Sequence, residues 1–186
     1  MAETQSGFHQ ETERLILRDW REEDWAPFWE GTNTPNGMRW LGGVADEAAM
    51  AAGRARLEQY NSDHGHTFWV VERKEDQAVL GFCGLKRCND ENGPVGDMEA
   101  GWRLREDAWG KGYAREAAEA SLKIGFEEFG APHIIALTVQ ENTPSWGLME
   151  RLGMKRRADL DFKSDVFGPE SVIVYLITRE QWEQQQ

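Results

Sequence analysis

The stretch DAWGKGYAREAAEASLKIGF, residues 107–126, sets Gly110 and Gly112 either side of Lys111, with Tyr113 and Ala114 opening an alanine-rich run. Glycines at a helix entrance let backbone amides come close to a partner. A P-loop needs G-x-x-x-x-G-K followed by Ser or Thr, to hold a phosphate and its Mg²⁺. Here Gly112 follows Lys111 and no hydroxyl comes next. A dinucleotide fingerprint needs a third small residue where Arg115 stands. Two readings remain. One is a nest of outward amides at a helix start, which binds a pyrophosphate with help from Lys111 and Arg115. The other is a tight turn that seats a helix closely on a sheet.

Other residues with chemical potential are few. Cys83 and Cys88 are the only cysteines, and no further ligands stand near them at zinc spacing. His64 and His66 flank Gly65, but two ligands make no metal site, and His133 beside Pro132 reads as a strand residue. No metal is expected. The formal charge is −12, where a nucleic-acid binder is more often basic. An acidic protein attracts cations, which favours an amine substrate, although acidity also serves solubility. No apolar run approaches the ~18 residues of a membrane span. MAETQSGFHQE has neither the basic start nor the apolar centre of a signal peptide, so a cytoplasmic location is expected.

The elements that must position these groups follow from periodicity. Residues 1–10 read as a polar arm and 11–186 as one domain, long enough for a sizeable core. ERLILRDW alternates as a strand, and Trp25, Phe28 and Trp29 fall at helical spacing before Gly31. TNTPNGMRWLGG is a loop, and DEAAMAAGRARLEQYNSDH a helix. HTFWVVER and AVLGFCGLKR form a hairpin around a turn at residues 74–77. MEAGWRLR is a strand whose Gly101 marks a bulge or a close backbone approach, with Glu99, Gly101 and Arg103 on one face. The next helix runs to about Phe129, with Ala114, Ala118, Leu122, Gly125 and Phe129 on one face. HIIALTV is apolar on both faces, as in a central strand. ENTPSWGLMERLG is a loop and a short helix, and MKRRADLDF and SVIVYLIT are two closing antiparallel strands. The strand–helix–strand unit from Met98 to Val139 predicts a parallel pair with a right-handed crossover. The fold class is α+β: a mixed, mostly antiparallel sheet with helices on its faces.

The order and spacing of ERLILRDWREED, GFCGL, MEAGWRLREDAWGKGYAREAAEA and IIALTVQENTPSWGLMERLGM resemble the Gcn5-related N-acetyltransferase (GNAT) superfamily over residues 11–180. ETERLILR, WGKGYA and ENTPSWGLMERLGM narrow the likeness to the branch of the ribosomal-protein-alanine N-acetyltransferases. The superfamily's pyrophosphate loop reads Q/R-x-x-G-x-G/A. Here it is Trp109-x-x-Gly112-x-Ala114, with Trp109 in place of the usual Gln or Arg. The resemblance implies a sheet splayed between its two central parallel strands, with acetyl-coenzyme A in the opening. Gly110, Lys111, Gly112, Tyr113 and Ala114 would hold the pyrophosphate beside Trp109. The pantetheine arm would bond main-chain groups of Trp102, Arg103 and Leu104 and the side chain of Asn142. Ser145 would lie beside the thiol.

Acyl transfer to an amine needs a neutral nucleophile, a donor to the thioester oxygen and a proton for the departing thiolate. An α-amino group, with a pKa near ~8, asks little of a base; a lysine near ~10.4 asks more. The resemblance points to Glu99 as base, with Asp97, Glu72 and a water chain as alternatives, and to an amide N–H of Trp102 or Arg103 as oxyanion donor. Relatives often protonate the thiolate with a tyrosine at the position of Met149, so Ser145 becomes the substitute. Met38 and Trp40, in the loop at residues 32–43, would shape the acceptor pocket. The expected enzyme transfers an acetyl group directly to an amine, without an acyl-enzyme. The acceptor would be a protein N-terminus or a small amine such as a polyamine, amino acid or antibiotic. A non-catalytic acyl-coenzyme A sensor and a plain nucleotide binder are the rivals. No nucleic-acid or membrane partner is expected. The protein would be a monomer, or a homodimer paired through its final strands.

Overall fold

A computed structural model describes residues 7–186. Nine strands form one sheet. They are β1 (His9–Glu11), β2 (Leu15–Arg18), β3 (Phe68–Arg73), β4 (Val79–Arg87), β5 (Met98–Leu104), β6 (His133–Val139), β7 (Lys155–Arg156), β8 (Phe162–Lys163) and β9 (Ser171–Thr178). The spatial order is β1-β2-β3-β4-β5-β6-β9-β7, with β8 also on β9. Every pair is antiparallel except β5 with β6. Five helices accompany the sheet: α1 (Trp25–Thr32), α2 (Glu47–His64), α3 (Tyr113–Glu127), α4 (Thr143–Arg151) and α5 (Arg179–Glu183).

Local chemistry sets the boundaries. Asp46 caps α2 by accepting from Ala49 N–H at 2.8 Å, and Gly65 ends it in the left-handed conformation at φ 75°. Apolar side chains alternate between two cores on opposite faces of the sheet. One holds Leu15, Trp69, Cys83 and Leu85 against Ala117, Ala118 and Leu122 of α3. The other holds Phe68, Val70 and Phe82 against Trp25 and Phe28 of α1. β6 is apolar on both faces: Ile134 and Ala136 are fully buried in the α3-side core, and Ile135 is fully buried in a third cluster with Phe162, Val172, Val174 and Leu176.

Several expectations change. The arm assigned to residues 1–10 is shorter, because His9 and Gln10 already pair with Arg18 and Leu17; its residues 1–6 lie outside the described residues. MKRRADLDF is not one strand. Ion pairs Arg156–Asp161 and Arg157–Asp159 close a tight turn over Ala158–Leu160, leaving β7 and β8 as two-residue pieces. β9 is not an open edge, since β6 pairs it from Val172 to Thr178 on one side and β7 and β8 flank it on the other; the outer strands at this end of the sheet are β7 and β8. Phe129 lies beyond α3, partly exposed, with its ring on His66 at 4.7 Å rather than on the helix's buried face. Gly101 is no bulge, since β4 and β5 step evenly from Gly81↔Leu104 to Arg87↔Met98. It is a close approach: a Cβ there would sit 2.6 Å from Phe68 Cζ. α5 was missed, because its capping box on Thr178 and Gln181 directly continues a strand.

Candidate active site

The parallel pair at the centre of the sheet is one rung long. β5 and β6 meet at Glu99↔Ile135 and nowhere else. Beyond that vertex the strands part, and the β6-facing edge of β5 from Gly101 to Leu104 has no strand partner among the described residues. The Leu104 carbonyl is taken by the Trp109 indole, which donates to it at 2.8 Å. The N–H and C=O of Trp102 are left facing the opening, whereas those of Arg103 point back to β4, in step with the Arg105 N–H that donates to the Leu80 carbonyl.

At the open end stands the start of α3. Gly110 and Gly112 adopt φ 70° and 81°, the left-handed region that favours glycine. Gly112 is the N-cap, and no side chain caps the first-turn amides. Nothing lies within 4 Å of where a Cβ would project from Gly110. The seat therefore has the free amides and the space that a pyrophosphate requires. It is held from outside. Arg14 Nη1 donates to the Lys111 carbonyl at 2.9 Å and Nε to Glu116 at 2.7 Å. Glu116 also accepts from Arg14 N–H at 2.7 Å and from the Thr12 hydroxyl at 2.6 Å. Tyr113 turns its ring inward beneath the Arg14 guanidinium, 4.4 Å from the centroid, so its side chain anchors the helix. Ala114 is half-buried and packs on the core. Sequence reasoning missed the Thr12–Arg14–Glu116 clasp, since a pairing about a hundred residues apart leaves no local spacing to read.

Glu99 lies at the vertex itself. It is 8% exposed, and its Oε2 is sealed from solvent without a hydrogen-bond partner. Lys86, opposite it on β4, places Nζ 3.5 Å away, close enough for an ion pair and too far for a hydrogen bond. Burial pushes the Glu99 carboxyl above the ordinary range, and Lys86 partly offsets this. Glu99 and Arg103 project from the same face of β5, towards α1 and α2. The alternative carboxylates are committed elsewhere. Glu72 accepts from Arg18 Nε at 2.7 Å, and Asp97 pairs with His133 at 2.9 Å.

On the β6 side, Asn142 donates to Thr138 Oγ1 at 3.0 Å, which leaves its amide oxygen free to accept. Asn142 occupies the N-cap position of α4, so Ser145 is not the cap; it sits in the first turn, half-buried, with its hydroxyl uncommitted. Met149 lies in the core at 1% exposure. Met38 is buried, and its carbonyl closes a turn by accepting from Leu41 and Gly43 N–H. Trp40 is half-buried beneath Arg39. Their loop is tied to the end of β5 through Asn36 and Glu106 at 2.9 Å. Both cysteines are buried free thiols. Cys83 is fully buried and its thiol pushed up to about 12, and burial also raises Cys88.

Comparison with known proteins assigns the architecture. Residues 14–155 match the acetyltransferase (GNAT) domain. This chain belongs to the GNAT acetyltransferase family. It is 33% identical over 150 residues to YnaD of Bacillus subtilis strain 168, described as an uncharacterized N-acetyltransferase, covering 80% of this chain and 83% of that one. A GNAT-family acetyltransferase from Bacillus anthracis superimposes with a TM-score of 0.75 at 29% identity, over 93% of this chain and 99% of that one. The ribosomal-protein-S5-alanine acetyltransferase of Vibrio fischeri shares the fold, with a TM-score of 0.73 at 18% identity over 94% of this chain and 98% of that one. GNAT acetyltransferases use acetyl-coenzyme A and act on amine acceptors. Among the described residues no helix is long and apolar enough to cross a membrane, and no group of three His, Cys, Asp or Glu side chains is placed to hold a metal.

Proposed function

We propose that this GNAT enzyme acetylates the free N-terminus of a protein or peptide by direct attack of the amine on acetyl-coenzyme A. The observation that carries the reading is Glu99: a sealed carboxylate with a raised pKa, placed where β5 and β6 begin to part. Bound acetyl-coenzyme A supplies the acetyl carbon and the thiolate leaving group. The first-turn amides of α3 and residues 109–114 hold its pyrophosphate, and the unpaired main chain of Trp102, with Asn142, holds its arm. Glu99 takes the proton from the attacking amine. An amide N–H on the open edge of β5 donates to the thioester oxygen as charge builds there. Ser145, near the start of α4 with a free hydroxyl, gives the thiolate its proton. The burial of both cysteines supports direct transfer over an acyl-enzyme. The acceptor class rests on the fold shared with the Vibrio fischeri enzyme and on the modest demand an α-amino group makes of a single carboxylate.

The test is coenzyme A release with peptides bearing free N-terminal Ala or Ser, their N-blocked lysine-containing counterparts, and small polyamines and amino acids. Release with the free N-termini alone, with a singly acetylated product by mass, supports the proposal. Turnover confined to the small amines overturns the acceptor class. Tight acetyl-coenzyme A binding without turnover of any acceptor overturns the catalytic reading in favour of a sensor.

A further inference from the structure

Arg103 is a half-buried cation without a counter-ion among the described residues. Its guanidinium lies among aromatic rings, 5.1 Å from the centroid of Phe82, 5.7 Å from Phe28 and 5.9 Å from Trp29. Nε is sealed from solvent and makes no hydrogen bond, while the two terminal nitrogens are not sealed. No carboxylate reaches it. The other charge it feels is Arg56 on α2, which repels it. Arg56 flanks the same Trp29: a Cβ at Gly53 would lie 3.2 Å from Trp29 Cη2 and 3.8 Å from Arg56 Nη2. Neither arginine has an ion pair among the described residues, in a chain whose acidic residues outnumber its basic ones by 33 to 21.

A sealed, unpartnered donor on a half-buried charge costs a fold stability, and a ligand that pairs with the charge relieves that cost. Aromatic faces offset part of that expense, yet they leave the fork of terminal nitrogens unused. The fork's position defines its task. Arg103 shares the face of β5 with Glu99, four residues or about 13 Å along the strand. Gly101 lies between them, with Phe68 filling the space its missing side chain leaves. The two charged groups thus bracket one aromatic-floored strip on the α1–α2 side of the sheet, opposite the face on which α3 packs.

We infer that Arg103 selects the acceptor: it receives a carboxylate on the substrate whose amine is presented to Glu99, in a bidentate pair, with Arg56 adding positive potential at the rim. The guanidinium fork matches a carboxylate as an ammonium does not. The inference rests on the proposed role of Glu99 and extends it to the acceptor's charge. The enzyme's overall negative charge repels anions, so the discrimination resides in this pair of arginines. The carboxylate belongs either to a small amino acid or to an acidic side chain near a peptide's N-terminus.

Two matched pairs of acceptors test this: L-alanine against L-alaninamide, and an Ala-Glu peptide amide against its Ala-Gln counterpart. With wild-type enzyme, kcat/KM is expected to favour the carboxylate member of one pair by about 10- to 100-fold, the worth of a charge-assisted hydrogen-bonded pair. The pair that shows the preference identifies the source of the carboxylate. Arg103→Met is expected to abolish the preference by raising KM for that member towards the value for the neutral one. Arg103→Lys is expected to restore part of it. Thermal unfolding of both variants checks that they fold. Equal use of both members by the wild type, or a preference that survives Arg103→Met, overturns the inference and leaves acetyl transfer standing. Glu99→Gln separates the two ideas: it is expected to slow every acceptor alike, and unchanged turnover would overturn the role of Glu99 itself.

Discussion

The carboxylate of Glu99 and the ammonium of Lys86 face each other across the β4–β5 pair at 3.5 Å, near enough to attract and too far to share a proton. Burial holds the Glu99 carboxyl above the ordinary range, Lys86 draws it part of the way back, and the net rise suits the proposed role as base. Activity should rise with pH through the Glu99 pKa, since only the carboxylate accepts a proton. Lys86 favours that charged form, so Lys86→Met moves the acid limb to higher pH. Glu99→Gln removes the limb and lowers kcat by roughly 10²–10⁴-fold. kcat–pH profiles at saturating acceptor read both effects; an unmoved limb in Lys86→Met would show that Lys86 does not tune the base.

The same shift carries a stability signature. A carboxyl whose folded pKa is raised destabilises the fold progressively as pH rises from its unfolded value through its folded one. Glu99→Gln removes that penalty, so the variant's stability relative to the wild type should be greater at neutral pH than at an acidic pH below the ordinary carboxylate range. Denaturant melts at the two pH values test the sign of the difference.

Gly112→Ala should damage cofactor affinity ahead of chemistry. At φ 81° an alanine is strained, and its Cβ would press to 3.3 Å from Arg14 Nη2. The expected result is a KM for acetyl-coenzyme A raised about tenfold or more, as amides lose their grip on a charged ligand, with kcat changed less. A normal KM would show that the pyrophosphate lies elsewhere.

Cys83→Ala should leave turnover intact. The thiol is fully buried beside Ser121, whose hydroxyl is 3.6 Å away. Loss of activity in a variant that melts normally would require an acyl-enzyme and defeat direct transfer.

Arg18 joins two carboxylates in the other buried network, donating from Nε to Glu72 and from both terminal nitrogens to Asp24 at 2.8 Å. Arg18→Ala strands both acids and should cost about 3–5 kcal/mol of unfolding free energy. A double variant with Glu72→Gln and Asp24→Asn should recover much of that loss; failure to do so would mean the arginine acts through packing alone.

Much of this was legible in the chain. Periodicity located the strands from Leu15 to Val139, and β6 declared its central place through His133–Val139, apolar on both faces. The turn at Gly110 and Gly112 was readable because both positions require φ above zero, a demand that few residues meet. The face shared by Glu99 and Arg103 followed from the two-residue period. What escaped is what depends on partners distant in sequence. Arg14 clasps Glu116 from the opposite end of the chain, and Arg156 with Asp161 breaks a run that alternation alone reads as one strand. The isolation of Arg103 was equally invisible, because a missing counter-ion is a property of space.

The single rung between Glu99 and Ile135 also bears on how the domain holds together. Four strands lie beyond β5 on one side of that seam, and β6 with the closing strands lies on the other. A ligand arm lying along the open edge of β5 would add the rungs the polypeptide leaves out. The amide of Trp102 should then exchange its hydrogen quickly in the free enzyme and slowly in the loaded one, while that of Arg103, turned to β4, serves as the unchanged reference, and the two half-sheets should melt as a tighter unit. A substrate bound there would be part of the secondary structure.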